Sequence, residues 1–259
     1  MDTYSIPGFS EPFSSLSHLL GAGIFAFAGV VLLRREKGSA SRRLVLGIFV
    51  FCCVFLLSMS GLYHLLTPSG AGRHLSRQLD HAAIFALIAG SFTPVHWFFF
   101  AGWGRWGVLI LVWILAISGI TLEAIFFDSI PEWLELTSYL GLGWIGLASV
   151  VTLWRRYGIA LVKPLVYSGL SYTAGGLLEF LRIPVLIPGV IGPHELLHIG
   201  VLAGIGFHYR FLFGMRRHVV APEHPELNLR HHANPPSSAG AAGSRQSAAA
   251  RQCSSVGRL

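Results

Sequence analysis

The chain has 259 residues, 53% of them hydrophobic and only 12% charged, with a formal net charge of +7 and a mean hydropathy of +0.61. A soluble domain carries about 25% charged residues; here the charges gather in short clusters between long apolar runs, the pattern of a chain that crosses a membrane several times. A nucleic-acid role is excluded, because the surplus positive charge belongs to loops and no basic stripe lies on a soluble domain.

A helical crossing needs roughly 20 apolar residues. The apolar runs predict an all-α polytopic membrane protein, a bundle of seven transmembrane helices near 17–33, 44–66, 80–100, 105–125, 137–154, 161–181 and 194–213. The first run reads as a retained span, because Asp2 and Glu11 precede it without any Lys or Arg, whereas a signal peptide begins with positive charge. Cys52 and Cys53 are adjacent in the second run and Cys253 lies far from both, so the cysteines supply neither a disulfide framework nor a thiolate metal site. Gly102-Trp103-Gly104-Arg105 divides spans three and four, and Pro184, Pro188, Gly189, Gly192 and Pro193 divide six and seven. Trp97, Trp103, Trp106, Trp133, Trp144 and Trp154 fall near predicted span ends, as an interfacial aromatic belt does. From about residue 220 the composition turns to Ser, Ala, Gly, Pro, Arg and His. Such a segment buries too little apolar surface to fold, so 1–219 is read as the transmembrane domain and 220–259 as a disordered polar tail, with His231 and His232 solvated.

Of the 12 histidines, the informative ones lie in or beside apolar spans. In His194-Glu195-Leu196-Leu197-His198 the i, i+4 spacing puts both imidazoles on one helical face, where two neutral rings can share one zinc ion. Ser60 and His64 stack in the same way near the end of span two. Asp80 opens span three, where an ionisable residue is either functional or an N-cap. Odd spans begin, and even spans end, on the side of the amino terminus. With seven spans, His18, His64, Asp80, His194 and His198 therefore share one depth. Three imidazoles with one open position make the arrangement of a catalytic zinc, and a nearby carboxylate can orient or deprotonate its water. His18 and His81 read as partners of such a site or as interfacial helix caps, and His96 and His208 as packing residues. Glu123 and Glu179 either line a cavity or lie solvated near span ends.

These residues carry a resemblance. The chain resembles the hemolysin III branch of the progestin and adipoQ receptor family over about residues 10–213. Glu11 to His18, Ser60 to His64, Asp80, and His194 to His198 stand in the order of that family's motifs, and the run from Leu79-Asp80-His81 to Phe92-Thr93-Pro94 is similar to the bacterial branch. Where the first motif carries Asn, this chain has Ser14. The resemblance implies a seven-helix bundle with an intramembrane Zn2+ on His64, His194 and His198. It further implies that Asp80 holds a zinc-bound water, with Ser60 beside it. In related receptors and alkaline ceramidases such a site is associated with hydrolysis of lipid amides.

Two function classes follow. One is a zinc-dependent hydrolase of a lipid amide, with Asp80 and Ser60 as catalytic residues and membrane lipids as partners. The other is a receptor-like or pore-forming, cytolytic membrane protein in which zinc is structural. The span-seven motif is also formally HExxH, in which the Glu of a metalloprotease is general base. Such proteases need a further acidic ligand, however, and only Glu223 and Glu226 follow. Lys and Arg mark the cytoplasmic side. Arg34, Arg35, Lys37, Arg42, Arg43, Arg105, Arg155, Arg156, Lys163, Arg210, Arg216 and Arg217 fall on one side, against Arg73, Arg77 and Arg182 on the other. That asymmetry predicts a cytoplasmic carboxyl terminus in the plasma or inner membrane and a site open to the outer face.

Overall fold

The structure, a computed structural model, describes residues 10–67 and 70–215. The predicted tail, with Cys253, His231 and His232, lies outside the described residues. The described chain is helical throughout: α1 Pro12–Arg35, α2 Ala40–Leu65, α3 Ala71–Phe99, α4 Gly102–Phe126, α5 Glu132–Trp144, α6 Gly146–Tyr157, α7 Ile159–Leu181 and α8 Pro193–Met215, with a short 3₁₀ turn at Phe127–Ser129.

Pro12 and Pro193 open α1 and α8, the helical position at which a missing N–H costs nothing. Phe100 and Ala101, both extended, separate α3 from α4. Arg182, left-handed at φ 58°, ends α7, and a tight hairpin with Leu186 N–H donating to Ile191 O (3.0 Å) leads into α8.

Two boundaries differ from the sequence reading, and both matter to the site. α3 begins at Ala71 rather than at residue 80, because its first turns carry Arg73, His74 and Arg77 and are too polar for hydropathy to mark. The fifth span runs as α5 and α6, joined at Ile145, which keeps right-handed helical dihedrals (φ −52°, ψ −31°). Glu132 and Glu135, expected in a loop, are thus in the first turn of α5. Counting α5 and α6 together, six described segments are long and apolar enough to cross a membrane. α7 has 23 residues but is interrupted by Lys163, Ser168, Ser171, Thr173 and Glu179, and it is not among the six.

Neighbouring helices pack in chain order from α1 to α4, α8 returns against both α1 and α7, and α5 touches α3 and α7. One apolar core joins α1, α2, α3, α6, α7 and α8 around Phe49, Leu57, Leu153, Val162, Ile205 and Leu212. A second, around Phe85, Phe92, Val112 and Leu142, joins α3, α4 and α5. Apolar side chains also face outward, Leu20, Phe27, Phe51, Ile114 and Ile125 among them. In a soluble protein such a surface would aggregate; in lipid it is the required exterior. Small residues let helices approach closely. A Cβ on Gly200 would stand 2.9 Å from the Ser171 carbonyl oxygen and 3.1 Å from Gly175 Cα. This contact seats α7 on α8 one turn from Glu179 and two residues beyond His198.

Candidate metal centre

The i, i+4 spacing of α8 turns His194 and His198 to one side, and the last turn of α2 brings His64 to meet them. His194 Nε2 lies 3.2 Å from His64 Nε2 and 3.2 Å from His198 Nε2. One nitrogen from each ring lies within 4.8 Å of the other two. Zinc bonds of about 2.0–2.1 Å in a tetrahedron hold ligand nitrogens about 3.3 Å apart, so two of the three nitrogen pairs already stand at the spacing of a shared ion.

The partners of the other ring nitrogens make the case stronger. His64 Nδ1 is bound by the Glu11 carboxylate, and His194 Nδ1 faces Glu179 Oε1 at 3.4 Å. A carboxylate accepts, so each Nδ1 carries the proton and each Nε2 presents a lone pair. Two lone pairs 3.2 Å apart repel unless a proton or a metal ion lies between them. Carboxylates behind ligand imidazoles are the usual means of fixing the tautomer at a metal. The donor set therefore fits a zinc ion.

Glu11 is itself held firmly. Its backbone N–H donates to His64 O (3.1 Å), and its other carboxylate oxygen accepts from Arg73 (2.5 Å). Arg73 also donates to Leu66 O (2.6 Å) and lies 4.5 Å over the Tyr63 ring. Burial works against the charged carboxylate, but His64 and Arg73 more than offset it and draw the Glu11 pKa down to about 2.

The other sequence candidates divide. Ser60, buried, and Asp80 line one cavity of about 720 Å³ together with His64, His194 and His198, and Asp80 is not among the three side chains placed to share an ion. Asp80 is not an N-cap: α3 starts at Ala71 and its N-cap is Gly70. His18 is not an interfacial cap either. α1 begins at Pro12, which carries His18 inward to 3% exposure, and its ring stacks on His198 (centroids 3.8 Å apart, 20° between planes). Glu195 is not among the side chains placed to share an ion. It accepts from Gly192 N–H (2.9 Å) and from the Ser14 hydroxyl (3.1 Å), closing the first turn of α8 as the reciprocal half of a capping box does. Ser14, the departure in the first motif, thus holds α1 to the start of α8. His96 packs as expected, between Gly104 O (2.8 Å) and Ser149 Oγ (3.0 Å), and buried His208 packs against Phe49. Sequence reading did not assign Glu11 and Glu179 to the imidazoles they back. Glu11 stood only within the first motif of the resemblance, and Glu179 only as a carboxylate near the end of an apolar span.

This arrangement defines a class: a polytopic helical membrane protein with a group of imidazoles, two of them buried, fit for a metal at one end of its bundle. The family model described as Haemolysin-III related matches residues 9–209, and the chain belongs to that family. It is similar to the Hemolysin-3 homolog of Bacillus subtilis (strain 168), 29% identical over 164 residues, 62% of this chain and 76% of that protein. It is 27% identical to Hemolysin-3 of Bacillus cereus over 198 residues, 74% and 84% of the two chains. It is also 29% identical to the adiponectin receptor protein of Drosophila melanogaster over 227 residues, 79% of this chain and 50% of that one.

Proposed function

We propose that this chain crosses the membrane seven times, with α7 as the crossing of lowest hydropathy, and that it holds zinc on His64, His194 and His198 to hydrolyse the amide bond of a lipid. The observation that carries the reading is the pair of facing Nε2 atoms, 3.2 Å apart, on imidazoles whose far sides are turned to carboxylates. When bound, zinc supplies Lewis acidity, polarising a carbonyl and making water acidic near pH 7. The remaining work falls to the chain. Glu11 and Glu179 fix two of the rings. Asp80, in the same cavity, takes a proton as water adds to the amide carbon and returns it to the departing amine as the C–N bond breaks. Ser60, one turn before His64, offers a hydroxyl beside it. Leu87, Ile88, Leu140, Val166 and Leu170 continue the cavity wall, an apolar surface suited to an acyl chain.

The test is release of free fatty acid from ceramides of several chain lengths by zinc-loaded protein in liposomes. Asp80→Asn should keep its zinc and lose roughly 10²–10⁴-fold in rate, the contribution of a general base. Zinc loss as complete as in the histidine variants would make Asp80 a ligand instead, and a wild-type protein inert toward the whole panel would sink the amidase reading.

A second reading has its own support. The Bacillus cereus relative is named Hemolysin-3. In that reading zinc only staples α2 to α8 in a pore-forming or receptor-like protein. Dye release from liposomes by a zinc-loaded but hydrolytically silent protein would favour it.

The charge asymmetry supports a cytoplasmic carboxyl terminus. A reporter active only in the cytoplasm, fused after Arg217, should be active, and one active only outside should be silent. The opposite pair of results would reverse the orientation and leave the metal centre untouched.

A further inference from the structure

A second group of metal-ligating side chains lies at the same end of the bundle. His81 follows Asp80 on α3, Glu123 is in the last turn of α4, and Glu135 is in the first turn of α5. One ligand atom from each lies within 4.8 Å of the other two, with His81 Nδ1 3.6 Å from Glu135 Oε2. Tyr139, one turn beyond Glu135, donates to Glu123 Oε1 (3.2 Å) and fixes that carboxylate.

Glu123 is only 2% exposed, and its second oxygen, Oε2, has no hydrogen-bond partner; neither has His81 Nδ1. A carboxylate buried with a free oxygen is costly, and buried charges are paired or coordinate metals. No Lys or Arg forms an ion pair with Glu123 or Glu135 among the described residues. Arg77, one turn before His81, lies over the Phe127 ring at 4.9 Å instead.

We propose that His81, Glu123 and Glu135 form a second metal site, separate from the three histidines, that takes a divalent first-row transition ion. The charge fits, since two carboxylates and a neutral imidazole balance a divalent cation. The donor chemistry also fits: one nitrogen with two carboxylates suits zinc or manganese, whereas calcium and magnesium prefer an all-oxygen shell. By the usual order of affinities zinc binds such a set more tightly than manganese, so zinc is the probe. An ion here would join α3, α4 and α5 through side chains, one residue from Asp80.

The experiment counts zinc per chain by elemental analysis, after chelator-stripped full-length protein in detergent is dialysed to equilibrium against Zn2+. Wild type should hold two equivalents. Glu123→Gln with Glu135→Gln should hold one, and His194→Ala with His198→Ala should hold one. A single wild-type equivalent that survives the glutamine pair and vanishes with the alanine pair overturns this proposal and leaves the three-histidine reading standing. The reverse loss overturns the three-histidine reading and leaves this one. Should the glutamine pair not fold, the alanine pair still decides, because an equivalent retained there supports the second site and none retained refutes it.

Discussion

The three-histidine cluster and the His81–Glu123–Glu135 group lie at the same end of one bundle, yet they are built on opposite plans. In the first, imidazoles face one another and carboxylates stand behind them: Glu11 behind His64 and Glu179 behind His194. In the second, the carboxylates themselves face inward and a phenol, Tyr139, stands behind one of them. The first takes two of its three rings from a single helical turn of α8; the second takes one residue from each of three helices. A site concentrated on one helix is preorganised by local geometry and needs only one partner helix to complete it. A site spread over three helices exists only once the packing of all three is complete.

The largest expected effect lies in the first cluster. Replacing His64, His194 or His198 by Ala should abolish zinc binding there and lower thermal stability. An ion present at 1,000 times its Kd stabilises the folded state by about 4 kcal/mol, and that contribution should disappear. Elemental analysis and a thermal melt with and without chelator check it together. A variant that melts like wild type and keeps full occupancy at this cluster would remove its residue from the ligand set.

A smaller effect tests the carboxylates behind the rings. Glu11→Ala should weaken zinc affinity by roughly 10–100-fold, the usual result of losing such a partner, since it removes the carboxylate that holds His64 Nδ1 and anchors Arg73. Glu179→Ala should cost less, because its contact with His194 is longer, at 3.4 Å, and His194 is more exposed than His64. Competition against a chelator of known affinity ranks the two, and equal affinities in both variants and wild type would mean that the carboxylates do not tune the site.

How much of this was legible in the sequence follows from the same contrast. The helical class and the crossings with clean apolar runs were readable, because lipid demands an unbroken apolar exterior. The start of α3 was not, since its first turns carry Arg73, His74 and Arg77 and lie outside any apolar run. Spacing and the parity of the crossings put His18, His64, Asp80, His194 and His198 at one depth, and only the resemblance singled out His64, His194 and His198 among them. That Glu11 backs His64 was not, because 53 residues separate them and only the packing of α1 against α2 brings them together. Glu135 was placed in a loop, and its pairing with His81 across α3 and α5 had no local signal. Glu195 is the converse case: its spacing completes a protease motif that lacks a further acidic ligand, and its side chain lies against the helix start.

Glu195 therefore provides the finest test. If it served as the base of a metalloprotease, Glu195→Gln would abolish turnover while leaving zinc in place. In this structure the carboxylate spans Gly192 N–H and the Ser14 hydroxyl, at 2.9 and 3.1 Å, and the amide oxygen of Gln can accept from one of these donors. What is lost is negative charge at the start of α8, worth about 0.3–1 kcal/mol against the helix dipole. At about 2–4 °C per kcal/mol for a chain of this size, the melt should shift by no more than a few degrees. Zinc content should be unchanged, and hydrolysis of a ceramide substrate should stay within about twofold, since 1.4 kcal/mol corresponds to tenfold and this residue is not expected to touch the reacting atoms. Ser14→Ala should give a comparable small shift, because it removes the other half of the same link. Loss of turnover in Glu195→Gln with zinc retained would return Glu195 to the catalytic site and make the contact with Gly192 secondary.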